Sequence, residues 1–173
     1  MKSPTSRKHN HKNFNQAAQS AYNAITLDAR TTLPDRESFN PVETFMTRWV
    51  KGLQEGDYDA DDQELVAMVA KRAGVEAIHW LTDTLGSDVP DIVEIVCKKQ
   101  HDYGHKNINN FGMIGIAIRM CDKIARIKNL EKLESPKNES LIDSYVDIVG
   151  YSMIAIMLDE DSFQLQLKGK TND

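Results

Sequence analysis

Cysteine is scarce in this chain of 173 residues: there are two, Cys97 and Cys121. Each falls on a helical pattern among apolar neighbours, so reduced, buried thiols are expected rather than a disulfide framework. Two thiols are too few for a zinc site unless histidines complete it. No apolar run approaches the roughly 20 residues that a membrane span needs. No signal-peptide hydrophobic region is read either, so the expected compartment is the cytoplasm. No stretch alternates polar and apolar residues in the manner of a strand, and no internal repeat is found. Glycine-rich phosphate loops, nucleophile elbows and metalloprotease motifs are missing. An excess of positive charge is missing too: 21 Lys and Arg stand against 26 Asp and Glu, a formal charge of −5. That argues against general affinity for DNA or RNA, but not against a nucleotide carried with a metal.

What remains is helical. The length suits one domain, and 40% apolar residues suffice for one core. Residues 1–12 hold Lys2, Arg7, Lys8, His9, His11 and Lys12 with no acid, which reads as a disordered basic tail. In residues 13–39, Ala17, Ala18, Ala21, Ala24, Ile25 and Ala29 allow a helix, and Thr31 to Asn40 reads as loop. Residues 1–39 are therefore expected to be a basic, partly disordered segment. A single helical domain is expected over 40–160, and a tail over 161–173. Asn40, Pro41 and Glu43 resemble a capping box that opens a helix carrying Val42, Phe45, Met46, Trp49, Val50 and Leu53. Asp61 is placed to cap the next helix, which Gly74 could interrupt. Further helical runs cover about 89–100, 111–130 and 141–158, with Pro136 in the last connection. The expected fold class is all-α, a compact bundle of about five to seven helices.

The organising stretch is Gln100 to Gly112. It gathers His101, Asp102, Tyr103, His105, Lys106, Asn107, Asn109 and Asn110 between two helix-like runs, with glycines at Gly104 and Gly112. As structure it is a helix end and a polar loop. As chemistry, its amides can read a base or sugar edge and Lys106 can reach a phosphate. Three polar helix faces accompany it. Asp91, Glu94, Lys98, His101 and Asp102 share one sector, which taken alone reads as a solvated face with a Glu94–Lys98 pair. Arg119, Asp122, Lys123, Arg126 and Asn129 recur at helical steps, either as a salt-bridged surface or as a phosphate-facing stripe. Glu139, Asp143 and Asp147 step by four, with Tyr151 next, along a helix that is apolar around most of its circumference. No Lys or Arg lies between Asn138 and Leu167, so these carboxylates need partners from elsewhere. The candidates are the Arg119/Arg126 stripe and a divalent cation such as Mg²⁺ or Mn²⁺.

The strings HDYGHKNINNFG (101–112), IRMCDKIARIKNL (118–130) and ESLIDSYVDIVGYSMIAI (139–156) resemble a small phage and bacterial helical family, the nucleotide-modification-associated domain. The resemblance rests on Asp102-Tyr103-Gly104, on Arg119, Asp122, Lys123 and Arg126, and on Asp143, Asp147 and Tyr151. It covers about residues 90–158 and implies a role around modified nucleotides. A more distant similarity is to MazG-like all-α nucleoside triphosphate pyrophosphohydrolases, although their paired Glu-x-x-Glu and Glu-x-x-Asp signatures are not reproduced.

Together these readings give two expectations. The first is a Mg²⁺- or Mn²⁺-dependent hydrolase that releases pyrophosphate from (deoxy)nucleoside triphosphates. Asp143 and Asp147 would hold the metal, with Glu94 and Asp122 as further ligands or as the catalytic base. Arg119, Lys123 and Arg126 would hold phosphate. His101, Asp102, Tyr103, Lys106, Asn107, Asn110 and Asn129 would complete the substrate site. The second is a non-catalytic nucleotide binder, an accessory or a sequestering protein. The expected partner in both is a nucleotide, without membrane or stable nucleic-acid binding, and the oligomeric state is left open.

Overall fold

A computed structural model describes residues 9–35, 37–56, 62–133 and 140–169. The described residues form seven α-helices and no strand: α1 (Phe14–Thr31), α2 (Phe39–Glu55), α3 (Gln63–Leu85), α4 (Ile92–Tyr103), α5 (Lys106–Asn109), α6 (Gly112–Leu130) and α7 (Leu141–Asp159). A 3₁₀ turn, Gly86–Asp88, joins α3 to α4. The all-α expectation holds.

The bundle is built around α3 and α7, and α7 also packs on α1, α4 and α6. The sequence makes this contact tight. Gly74 faces Ser152, and a Cβ at Gly74 would lie 2.6 Å from Ser152 Oγ. That hydroxyl donates to the Ala70 carbonyl of α3 and to Ile148 of its own helix, both at 2.8 Å. Gly74 therefore does not interrupt α3; it lets two backbones approach. At its start, α7 has a full capping box: Ser140 Oγ accepts from the Asp143 amide, and Asp143 accepts from the Ser140 amide.

By length and composition alone, the 19-residue α7 is apolar enough to cross a membrane, and half of that apolar window is buried inside the bundle. Its apolar faces are turned into the bundle, where Ile148, Val149, Met153, Ala155 and Met157 are fully buried. This is a core helix surrounded by other helices.

Both ends of the domain extend beyond the expected 40–160. α1 buries Phe14, Ala17, Ala18, Ala21 and Ile25, so it is an integral core helix. Each of the larger side chains there is worth about 1.5–3 kcal/mol of burial. His9 is buried as well: it accepts the His11 amide at Nδ1 and contacts the Asp161 carbonyl through Nε2. Phe163 is buried beyond α7, and the Phe14 amide donates to the Gln166 carbonyl at 2.8 Å. The expected tails thus pack on each other. Alanine-rich α1 has a weak apolar signal because closely approaching helices need only small side chains.

Two starts differ from expectation. α2 begins at Phe39 after Ser38, without a side-chain cap, so Asn40 and Glu43 do not form a capping box. α4 begins at Ile92 with Asp91 as its cap, accepting from the Glu94 amide. Asp61, Pro136 and Glu139 lie outside the described residues. Both cysteines are free and half-buried, and burial raises both thiol pKa values.

Candidate functional site

Five helices meet around a cavity of about 370 Å³. Its apolar wall comes from Phe14 of α1, Ile92, Ile95 and Val96 of α4, Ile108 of α5, and Val146 and Ile154 of α7. Its polar groups are Lys99, Gln100, Tyr103, Asn107, Arg119, Asp147 and Tyr151. Gly150 keeps the α7 wall low, with Val96 Cγ2 3.5 Å from where its Cβ would stand.

The charge pattern centres on Asp147, which is only 16% exposed. Lys99 of α4 reaches it at 3.1 Å and Lys123 of α6 at 2.9 Å. Arg119, one helical turn before Lys123, is half-buried, lines the cavity and has no ion-pair partner among the described residues. Tyr151 sits one turn after Asp147. Burial raises its pKa, and Asp147 adds to the effect, against opposition from Lys123, Arg119 and Lys99. The phenol is therefore a neutral hydrogen-bonding group at ordinary pH.

Two amides complete the floor. Asn107 carries a buried side-chain oxygen with no hydrogen-bond partner. Such an atom costs free energy unless a donor reaches it. Gln100 is buried and its Nε2 lies 2.6 Å from His105 Nδ1, so the amide donates to the ring. His105 in turn meets the edge of Phe163.

Of the expected site residues, Tyr103, Asn107, Arg119 and Asp147 come together here, with Lys123 just behind Asp147. The others do not. Glu94 pairs with Lys98 at 2.8 Å on the exposed side of α4. His101 and Asp102 are exposed and lie 3.2 Å apart. Lys106, Asn110, Asp122 and Asn129 are exposed and do not line the cavity. Asp143 is exposed and serves the α7 cap. Arg126 donates to the buried Ser144 hydroxyl and to the Ser140 carbonyl, so it fastens α6 to the start of α7.

The four carboxylates expected to hold a metal are therefore scattered, and Asp147 already meets two ammonium groups. No group of three or more His, Cys, Asp or Glu side chains that could hold a metal ion occurs among the described residues. The Asp143, Asp147, Glu94 and Asp122 side chains assigned to a metal are thus not gathered into one cluster among the described residues.

Lys99, Gln100 and Tyr151 were missed as site residues, and a signal for the first two exists. Ile92, Ile95, Val96, Lys99, Gln100 and Tyr103 continue one helical stripe, so the polar members extend an inward apolar face. Phe14 carried no comparable signal, because α1 is remote in sequence.

Residues 99–158 match the family model described as nucleotide modification associated domain 1. Every polar group lining the cavity among the described residues lies inside that stretch. No curated protein and no solved structure matches the chain significantly, so the likeness to MazG-like pyrophosphohydrolases gains no support.

Proposed function

We propose that this chain, which carries nucleotide modification associated domain 1 over residues 99–158, binds a nucleotide in the five-helix cavity. One observation carries the reading: among the described residues, the polar lining of the cavity falls within the family-matched stretch and includes a half-buried arginine without an ion-pair partner. A guanidinium presents a planar donor fork that matches phosphate oxygens. Arg119 and the exposed end of Lys99 receive the phosphate. The Ile92, Val96 and Ile154 wall, with Tyr103 and Tyr151, receives the base.

Binding without hydrolysis is the reading that the geometry favours. Hydrolysis of a triphosphate requires a base for water and, in the expected scheme, clustered carboxylates for a metal. Glu94 and Asp122 are exposed away from the cavity lining. The protein then serves as a nucleotide-binding accessory or sequestering protein in nucleotide modification.

The test is a thermal-shift screen of nucleosides and nucleotides against the native chain and Arg119→Ala. A nucleotide raises the melting temperature of the native chain, and the corresponding nucleoside does so less. Arg119→Ala loses the nucleotide increment and keeps the unliganded melting temperature. A native chain indifferent to every nucleotide would refute the assignment.

A further inference from the structure

We infer that the cavity selects nucleoside monophosphates and that Asp147 is the residue that discriminates against longer phosphate chains. The inference rests on the nucleotide-binding reading above and names its substrate class.

The first argument is charge. Among the described residues of the lining, Lys99 and Arg119 are the two cations, and Asp147, which pairs with Lys99 and with Lys123 behind it, offsets one of them. The net charge of one lies nearer to a phosphate monoester, which carries about −1.5 to −2 near neutral pH, than to a triphosphate. Each further phosphoryl group adds negative charge that no other cation among the described lining residues meets. It also approaches the Asp147 carboxylate, which is only 16% exposed and so poorly screened by water.

The second argument is the position of the other acids. Enzymes that take triphosphates commonly bring in a divalent cation through one or two carboxylates to offset that charge. Here Glu94, Asp122 and Asp143 are exposed and absent from the cavity lining. Asp147, the single acid among the described lining residues, is held by two lysines. In this setting a carboxylate among cations acts as a repulsive element against the wrong ligand, which is how many specific sites reject close analogues.

The third argument is size. A cavity of about 370 Å³ lies at the small end of ligand sites, which run from roughly 300 to 1,000 Å³. A base and sugar fill most of it, with one phosphoryl group at Arg119.

The experiment is calorimetric titration of the full chain with the mono-, di- and triphosphates of deoxythymidine, deoxycytidine, deoxyadenosine and deoxyguanosine, each with and without Mg²⁺. In the base series that binds, the monophosphate binds about tenfold or more tightly than its triphosphate, and Mg²⁺ does not reverse the order. Asp147→Asn narrows that ratio at least several-fold, mainly by tightening the triphosphate. A native chain that prefers the triphosphate overturns the inference and leaves nucleotide binding standing. A folded Asp147→Asn with an unchanged ratio removes Asp147 from the discrimination. If Asp147→Asn does not fold, the native series decides. Absence of binding by every nucleotide overturns this inference together with the reading on which it rests.

Discussion

Ser152 of α7 occupies the space that a side chain at Gly74 of α3 would need, its Oγ lying 2.6 Å from the site of a Cβ. The same hydroxyl is bonded to Ala70 and Ile148, so it cannot turn away without leaving a buried donor unpaired. α7 in turn carries Asp147, Gly150, Tyr151 and Ile154 into the cavity. The α3–α7 contact thus fixes one wall of the site. Gly74→Ala is expected to destabilise the fold by about 1–3 kcal/mol, the usual cost of overpacking. Gly150→Ala is the control: its Cβ would meet Val96 at an ordinary 3.5 Å, and alanine favours a helix over glycine by about 1 kcal/mol. Urea unfolding of both variants checks the contrast, and equal stability of the two would defeat the argument.

Arg126 and Arg119 share the basic stripe of α6 but have different work. Arg126 donates to Ser144, whose hydroxyl is fully buried, and to the Ser140 carbonyl at the α7 cap. Arg126→Ala removes a charged donor from a buried acceptor and is expected to cost about 1–3 kcal/mol of stability. Nucleotide affinity should change little where the variant is folded. Arg119→Ala should show the reverse pattern. Urea unfolding beside calorimetric titration separates the two. If both variants lose affinity equally at intact stability, the whole stripe serves the ligand.

The difference between those two arginines marks how far the sequence could be read. Helical periodicity sufficed for the fold class, because apolar residues recur at steps of three and four in nearly every element. It also placed Arg119 and Asp147 as candidates, whereas Asn107 came from the polar stretch between residues 100 and 112, and Tyr103 from the family resemblance at Asp102-Tyr103-Gly104. It failed where a choice between neighbouring residues of one helix was needed. Lys98 and Lys99 are adjacent and chemically identical, yet Lys98 pairs with Glu94 in solvent while Lys99 reaches Asp147. The deciding information is the phase of the apolar stripe, since Lys99 continues the Ile92–Val96 face. Asp147 posed a harder problem. That it lacked a cation on its own helix was legible; that Lys99 would arrive from α4, 48 residues earlier, was tertiary information.

Tyr151 makes a prediction about alkaline pH. Burial and the Asp147 carboxylate raise its pKa above the ordinary 10.0, with nearby cations opposing. The unfolded chain therefore releases this proton at lower pH than the folded one. Stability from this group is fully present below about pH 10 and is lost as pH rises through the folded value. Tyr22 is raised as well, chiefly by burial, so it contributes in the same direction. Ultraviolet difference titration should show tyrosines ionising late in the native protein, and Tyr151→Phe should remove one of them. Denaturation at increasing pH should become less steep in that variant. A native spectrum in which all tyrosines titrate together near 10 would contradict the burial of this hydroxyl.

Phe163 lies beyond the last helix, where the sequence suggested a tail, and tests whether that segment supports the cavity. Its ring is 1% exposed and packs edge-on against Phe14 at 5.8 Å and against His105 at 5.6 Å. Phe14 lines the cavity, and His105 accepts from Gln100, another lining residue. The ring therefore buttresses two walls of the site without forming part of its lining. Phe163→Ala would leave a void beneath both, and a fully buried phenylalanine cut to alanine costs about 3–5 kcal/mol. Phe163→Leu retains most of the volume and should cost less, while losing the edge-on contacts with both rings. Urea unfolding gives the stability order, native above Phe163→Leu above Phe163→Ala. In the folded Phe163→Leu variant, nucleotide affinity should fall several-fold, because Gln100 and Phe14 are less firmly held although no group that meets the ligand has changed. If that variant binds as the native chain does, the terminal segment closes the core but does not position the site.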